Sequence, residues 1–196
     1  MNKAQDYLIK EGLIDVEPNG RMTIDRSYYT PNYIIEAIKE VMGEIDIDVA
    51  SCKAAQKRIQ AKMYYDEKID GLKQPWVGRI FLCANVSQAA LFIQKAEQEY
   101  QNGNMTEAII HAQTGETWED WFHDFLVMGK AFCFMKRRIV WRPCWSGYEK
   151  EYEELGVDYN QFPPYSIHGS IYAYLGPHVD KFKEVFSRLG TVIVKK

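Results

Sequence analysis

The sequence predicts a single α/β domain, with a mixed, largely parallel sheet and helices on both faces. Three observations lead there. Strand-like and helix-like patterns alternate from residue 31 onward, the order that builds parallel sheets. A chain of 196 residues with 46% hydrophobic content buries one sizeable core. No internal repeat or low-complexity segment breaks the pattern. Residues 28–196 form the predicted domain, and residues 1–27 read as an N-terminal extension.

The elements follow in order. Ala4 to Glu11 reads as a short helix, and Glu17-Pro-Asn-Gly20 as a turn. Thr30-Pro31 opens the next helix, with a hydroxyl cap and proline at the first helical position. Ile34, Ile35, Ile38, Val41 and Met42 give it one apolar face, and Gly43 ends it. Ile45 to Val49 alternates as a strand. Ser51 caps a helix running to about Lys62, Met63 to Tyr65 is a strand, and Asp66 to Gln74 a loop around Asp70-Gly71. Arg79 to Leu82 is a short buried strand. Ser87 caps a helix from Gln88 to Gln101, which Asn102-Gly-Asn104 closes. Thr106 to Ala112 is a strand, Glu116 to Met128 a helix, and Lys130 to Met135 and Arg138 to Trp141 are strands. Gly147 to Gly156 is charged and helical, an insertion in the pattern. Ser170 to Leu175, Val179 to Leu189 and Thr191 to Val194 complete it as strand, helix and strand.

Composition limits the function. A formal charge of −3 and a pI of about 5.9 give no whole-molecule attraction to nucleic acid, so such binding needs a local basic patch. Lys136-Arg137-Arg138, with Arg142 beyond, is the one dense basic run. It reads as a phosphate-contacting edge or as a solvated strand end. The N-terminus lacks a charged-then-apolar signal, and no apolar run approaches the roughly 18 residues of a membrane span. Cys52, Cys83, Cys133 and Cys144 are widely spaced, which suits reduced thiols better than disulfides or a zinc site. His111, His123, His168 and His178 suit neither a metal site nor a triad, so no metal is expected.

Several landmarks fall in one order. They are Tyr29-Thr30-Pro31, Asp46-Ile-Asp48-Val-Ala50-Ser51, Asp70-Gly71-Leu72 with Trp76-Val-Gly78, and Phe92-Ile93-Gln-Lys95 with Gly103-Asn104. Thr117 to Phe122 and Phe132-Cys133-Phe134 with Arg138-Ile139 follow. Together they resemble the phage-type DNA N6-adenine methyltransferase family, over roughly residues 28–195. The resemblance implies a Rossmann-like fold dependent on S-adenosylmethionine (SAM). Thr30 and Pro31 would lie near the amino-acid end of SAM, and Asp46, Asp48 and Ser51 in its pocket. At the end of a strand, Asp48 suits ribose hydroxyls; from local sequence it also reads as a turn or cap residue. The proline that follows the aspartate in the family is Val49 here.

The catalytic Asn-Pro-Pro-Tyr of that family is Cys83-Ala84-Asn85-Val86 in this chain. In the family the Asn carbonyl and the first proline's backbone carbonyl accept from the adenine amine, and the Tyr ring stacks on the flipped base. Cys83 is a weak acceptor, Ala84 lacks the stiffening ring, and Val86 cannot stack. Losing one positioned acceptor costs on the order of 10²–10³ in rate. Three rescues are considered: a loop shift bringing in Asn85, the Phe162-Pro163-Pro164-Tyr165 run, and Cys83 as nucleophile toward a pyrimidine. Against them, Phe162 offers no acceptor, and a single cysteine at a strand end is usually a small buried hydrophobe.

The expectation is a catalytically degenerate relative that binds a host protein or DNA, for instance in counter-defence by a phage. The alternative is an active SAM-dependent DNA base methyltransferase with a non-standard loop. The resemblance implies a phage or prophage origin and a bacterial cytoplasm, with no membrane partner.

Overall fold

The computed structural model describes residues 3–24, 28–143, 147–156 and 168–196. Eleven strands and seven helices follow in chain order: α1 (Lys3–Glu11), β1 (Ile14–Val16), β2 (Met22–Ile24), β3 (Tyr28–Tyr29), α2 (Asn32–Met42), β4 (Ile47–Asp48), α3 (Lys53–Ile59), β5 (Met63–Tyr64) and β6 (Gly78–Leu82). After these come α4 (Ala89–Gln101), β7 (Met105–Gln113), α5 (Asp120–Met128), β8 (Ala131–Met135), β9 (Arg142–Pro143), α6 (Glu149–Glu154), β10 (Ser170–Leu175), α7 (Val179–Phe186) and β11 (Gly190–Val194).

Seven strands make one sheet in the order β5-β4-β6-β7-β10-β8-β11, and two small antiparallel pairs, β1–β2 and β3–β9, stand outside it. Five strands run one way, as expected. The reversed β10 sits between β7 and β8, and reversed β11 lies on the edge, so only three of the six pairings are parallel. The sheet is mixed, with five of its seven strands running in one direction.

Helices cover both faces because alternate strand residues are apolar on both. On one face Ile47, Val49, Ile80, Leu82, Ala108 and Ile110 pack under Phe92, Ile93 and Ala96 of α4 and Phe122 and Phe125 of α5. On the other, Phe81, Ile109, Cys133, Tyr172 and Tyr174 meet Ile34 and Ile38 of α2, Ala54 and Ile59 of α3, and Phe182 and Phe186 of α7. Each fully buried Ile or Phe contributes about 1.5–3 kcal/mol relative to exposure. The N-terminal extension is part of this second core. Leu8, Leu13 and Ile14 are buried in it, and the buried Tyr152 of α6 donates its hydroxyl to the Leu13 carbonyl.

Several local expectations change. Thr30 does not cap α2: the N-cap position is Pro31, whose carbonyl accepts from the Ile34 and Ile35 amides. The α3 helix is shorter than expected. Cys52 precedes it, and Gln60 in a left-handed conformation ends it, so Ser51 is not its cap. Ser87 lies within a 3-10 turn, Val86–Gln88, that the Asn85 carbonyl closes at the Gln88 amide, and α4 starts at Ala89. A 3-10 turn at Thr114–Glu116 precedes α5, which begins at Asp120. Arg138 to Trp141 is not a strand of the main sheet. Residues 136–141 form no strand beyond an isolated bridge at Val140, and the short β9 that follows pairs with β3.

Candidate functional site

The order of the sheet reverses at β4. From β4 the chain adds β5 on one side, then returns to place β6 on the other. In open α/β sheets the loops on either side of such a reversal diverge and leave a crevice outside the carboxyl ends of the strands, where ligands bind. Asp48 closes β4 and Cys83 follows β6, so both residues stand at that crevice.

The landmarks in between hold the two strands in place. Asp46 accepts from the Arg79 backbone amide and from both arms of its guanidinium at 2.9–3.0 Å, and Lys62 adds an ion pair. Hydrogen bonding to Arg79 is the main force holding the Asp46 carboxyl well below the usual carboxylate range. Gly78 is required beside it: φ is +92°, and a Cβ would stand 2.8 Å from the Asp46 carboxylate. Gly71 packs on the carbonyl of Val49, which a Cβ would meet at 2.1 Å, and accepts from the buried Trp76 indole at 2.8 Å. Asp46 with Arg79 and Gly78 thus clasps the amino ends of β4 and β6, and Gly71 with Trp76 packs against the chain just after β4.

Asp48 is different. It is 1% exposed, and it faces α3, where Gln56 donates to Oδ2 at 2.7 Å. The same Gln56 amide donates to the Ser51 hydroxyl at 2.8 Å, so Ser51 and Asp48 share one partner. Oδ1 is buried and has no hydrogen-bond partner of good geometry among the described residues. Burial pushes the Asp48 carboxyl up to about 6, against smaller opposing effects from Ser51, Gln56 and the Ala50 amide.

Cys83 sits among neutral polar groups. The Thr30 hydroxyl, free of capping duty and buried, is within hydrogen-bonding reach of its sulfur. His111 of β7 approaches with Nδ1 3.6 Å from the sulfur, and its Nε2 is 3.1 Å from the Ser170 hydroxyl at the start of β10. Trp141 packs edge-on against the His111 ring at 4.9 Å, so the segment after β8 roofs this cluster. Tyr172, opposite His111 in register, buries a hydroxyl with no partner among the described residues.

The cluster does not form an activated nucleophile. Burial pushes the Cys83 thiol up to about 12 and the His111 imidazole down to about 3. Both shifts oppose transfer of the thiol proton to the imidazole. Nor does the loop place a side-chain amide where the amine acceptor is needed. Asn85 is exposed and at the start of the 3-10 turn, and Val86 is 46% exposed. The Phe162-Pro163-Pro164-Tyr165 run and Cys144 lie outside the described residues.

Lys136, Arg137 and Arg138 are exposed, just beyond the carboxyl end of β8. β8 runs with β6, so the basic run lies along the same sheet edge as the crevice. Three strand spacings of about 4.8 Å separate β6 from β8, roughly 14 Å in all. The side chain of Arg142 lies outside the described residues.

The structure therefore gathers Thr30, Pro31, Asp48, Ser51 and Cys83 at one crevice, assigns Asp46 to the clasp, and adds Gln56, His111, Ser170, Tyr172 and Trp141. For His111 a signal existed, a polar residue at the end of the apolar run Ala108-Ile-Ile-His-Ala112. For Gln56 none did, since nothing local separates it from other helix-surface residues. Among the described residues no group of three or more His, Cys, Asp or Glu could hold a metal ion, and no helix is long and apolar enough to cross a membrane. Comparisons with protein-family models, curated proteins and solved structures give no match to this chain.

Proposed function

We propose that this chain is a catalytically degenerate protein of the phage-type DNA N6-adenine methyltransferase kind, built on a Rossmann-like fold. It keeps a SAM crevice and has lost adenine methylation. It acts by binding a host protein or DNA inside a bacterium, as a phage counter-defence protein would. The observation that carries this reading is the asymmetry of the crevice. Its cofactor side presents a buried carboxylate with an open acceptor, Asp48 Oδ1, whereas its chemical side presents a neutral thiol where an amide carbonyl is needed.

The residues present fit SAM. Asp48 offers an acceptor to hydroxyl or cationic groups, and the Ser51 and Thr30 hydroxyls stand beside it. Bound SAM supplies an electrophilic methyl group. Around it, the chain's own residues withhold the other half of the reaction. Cys83 donates weakly and accepts weakly, and Val86 gives no ring to hold a flipped base. Lys136, Arg137 and Arg138 supply a phosphate-contacting edge along the same rim.

The test is calorimetric titration with SAM and S-adenosylhomocysteine (SAH), joined to nucleoside mass spectrometry of DNA incubated with protein and SAM. The expected result is micromolar cofactor binding with no N6-methyladenine. Absence of binding up to millimolar cofactor overturns the cofactor reading. Methyladenine formed at an ordinary enzymatic rate overturns the degeneracy.

A further inference from the structure

Three carboxylates among the described residues are buried: Asp48, Glu99 and Glu107. Glu99 holds the Lys95 ammonium at 2.8 Å and the Asn104 amide at 2.6 Å. Glu107 accepts from the Tyr174 hydroxyl at 2.5 Å and faces the His178 ring at 3.2 Å. Asp48 has only the neutral Gln56 amide at full hydrogen-bonding geometry, on one oxygen. The obvious cation nearby is not directed to it: Arg58, two residues along α3 from Gln56, lays its guanidinium over the Tyr29 ring at 5.2 Å. Even Asp46, two residues away on the same strand and less buried, has both Arg79 and Lys62. Among the described residues no cation pairs with the Asp48 carboxylate, although such pairs are used for other carboxylates.

A buried charge without a counter-charge is costly, and an occupant that brings one recovers that cost on binding. Resting on the cofactor reading above, we propose that Asp48 makes the crevice select its occupant by charge, holding the sulfonium of SAM in preference to the neutral thioether of SAH. Hydroxyl groups alone would also satisfy Oδ1, but SAM and SAH carry the same ribose hydroxyls and the same α-ammonium. Contacts to those groups leave the two ligands equal, and only a contact felt by the sulfonium separates them. A crevice of this kind reports the methylated state of the cofactor without consuming it.

The experiment is calorimetric titration of the full chain at pH 8 with SAM, SAH and sinefungin, whose ammonium replaces the sulfonium. It is repeated on Asp48→Asn, with circular dichroism to check folding. SAM and sinefungin are expected to bind at least about tenfold more tightly than SAH, and D48N to bring all three within about threefold. SAH binding as tightly as SAM overturns the inference and leaves the cofactor site standing, as does a preference that survives in folded D48N. Binding of none of the three overturns the cofactor reading, and the inference with it. If D48N fails to fold, the comparison of the three ligands on the wild-type chain decides alone.

Discussion

Burial of the Asp48 carboxyl destabilises the folded protein, and this makes a measurable prediction. Its carboxyl stands at about 6 in the folded chain against an ordinary 3.8. An acid whose folded value is raised adds stability only where it is protonated, and that stability is lost as pH rises through the folded value. At pH 5 the residue costs the folded state about 2 kcal/mol, and at pH 8 about 3 kcal/mol, taking 1.36 kcal/mol per tenfold change in proton affinity. Asp48→Asn keeps the shape and cannot ionise. The stability advantage of D48N over wild type should therefore widen by about 1 kcal/mol between pH 5 and pH 8, or about 2–4 °C in Tm for a chain of this size. Urea denaturation of both proteins at the two pH values, without cofactor, gives the numbers. A gap that stays constant, or that narrows as pH rises, refutes the assignment of Asp48 as an uncompensated buried carboxylate.

Other outcomes follow from the loop, the thiol and the basic rim. Asn85 already has φ −58° and ψ 144°, values that proline adopts. N85P alone should leave stability unchanged or raise it by about 0.4–1 kcal/mol, and a large loss in thermal melting would contradict the loop geometry. Restoring the whole motif with C83N, A84P, N85P and V86Y should raise N6-methyladenine at least about 100-fold over wild type by mass spectrometry. No gain, with cofactor still bound, would place the defect outside the loop. Cys83, held up to about 12, should react with iodoacetamide at pH 8 at least about 100-fold more slowly than a free thiol near 8.5, and rapid labelling of this residue by peptide mapping would argue for an activated nucleophile. Replacing Arg137 and Arg138 with Gln should lower the slope of log affinity against log salt for duplex DNA by about 2. An unchanged slope removes them from any phosphate contact.

Much of this was legible in the sequence because local rules governed it. Helix α2 follows its apolar face, β6 its buried run, and the succession of strands and helices gives the layered class. The failures share a cause. Thr30, Ser51 and Ser87 each read as helix caps because a hydroxyl before a helical pattern usually is one, but here tertiary partners outbid the local role. The Thr30 hydroxyl turns to Cys83, Ser51 to Gln56, and the Asn85 carbonyl closes the turn that contains Ser87. Asp46 and Asp48 stand two residues apart at β4, and only the neighbouring strand tells them apart, because Arg79 meets the first and, among the described residues, no cation pairs with the second. The insertion of β10 between β7 and β8 has no local signature either, since strand order is set by long-range pairing.

That insertion has a kinetic side. β5, β4, β6 and β7 pair with neighbours close along the chain, and they carry Asp48, Ser51 and Cys83. β8 has no partner in the sheet until β10, about 35 residues later, slots in beside β7, and β11 then closes the edge. As the chain emerges from synthesis, the strands that flank Asp48 can pair before the last strands arrive. The basic run at 136–138 follows β8, which gains its sheet partners only with the last strands, so a folding intermediate arrested before β10 docks would pair the strands around Asp48 without an ordered basic edge.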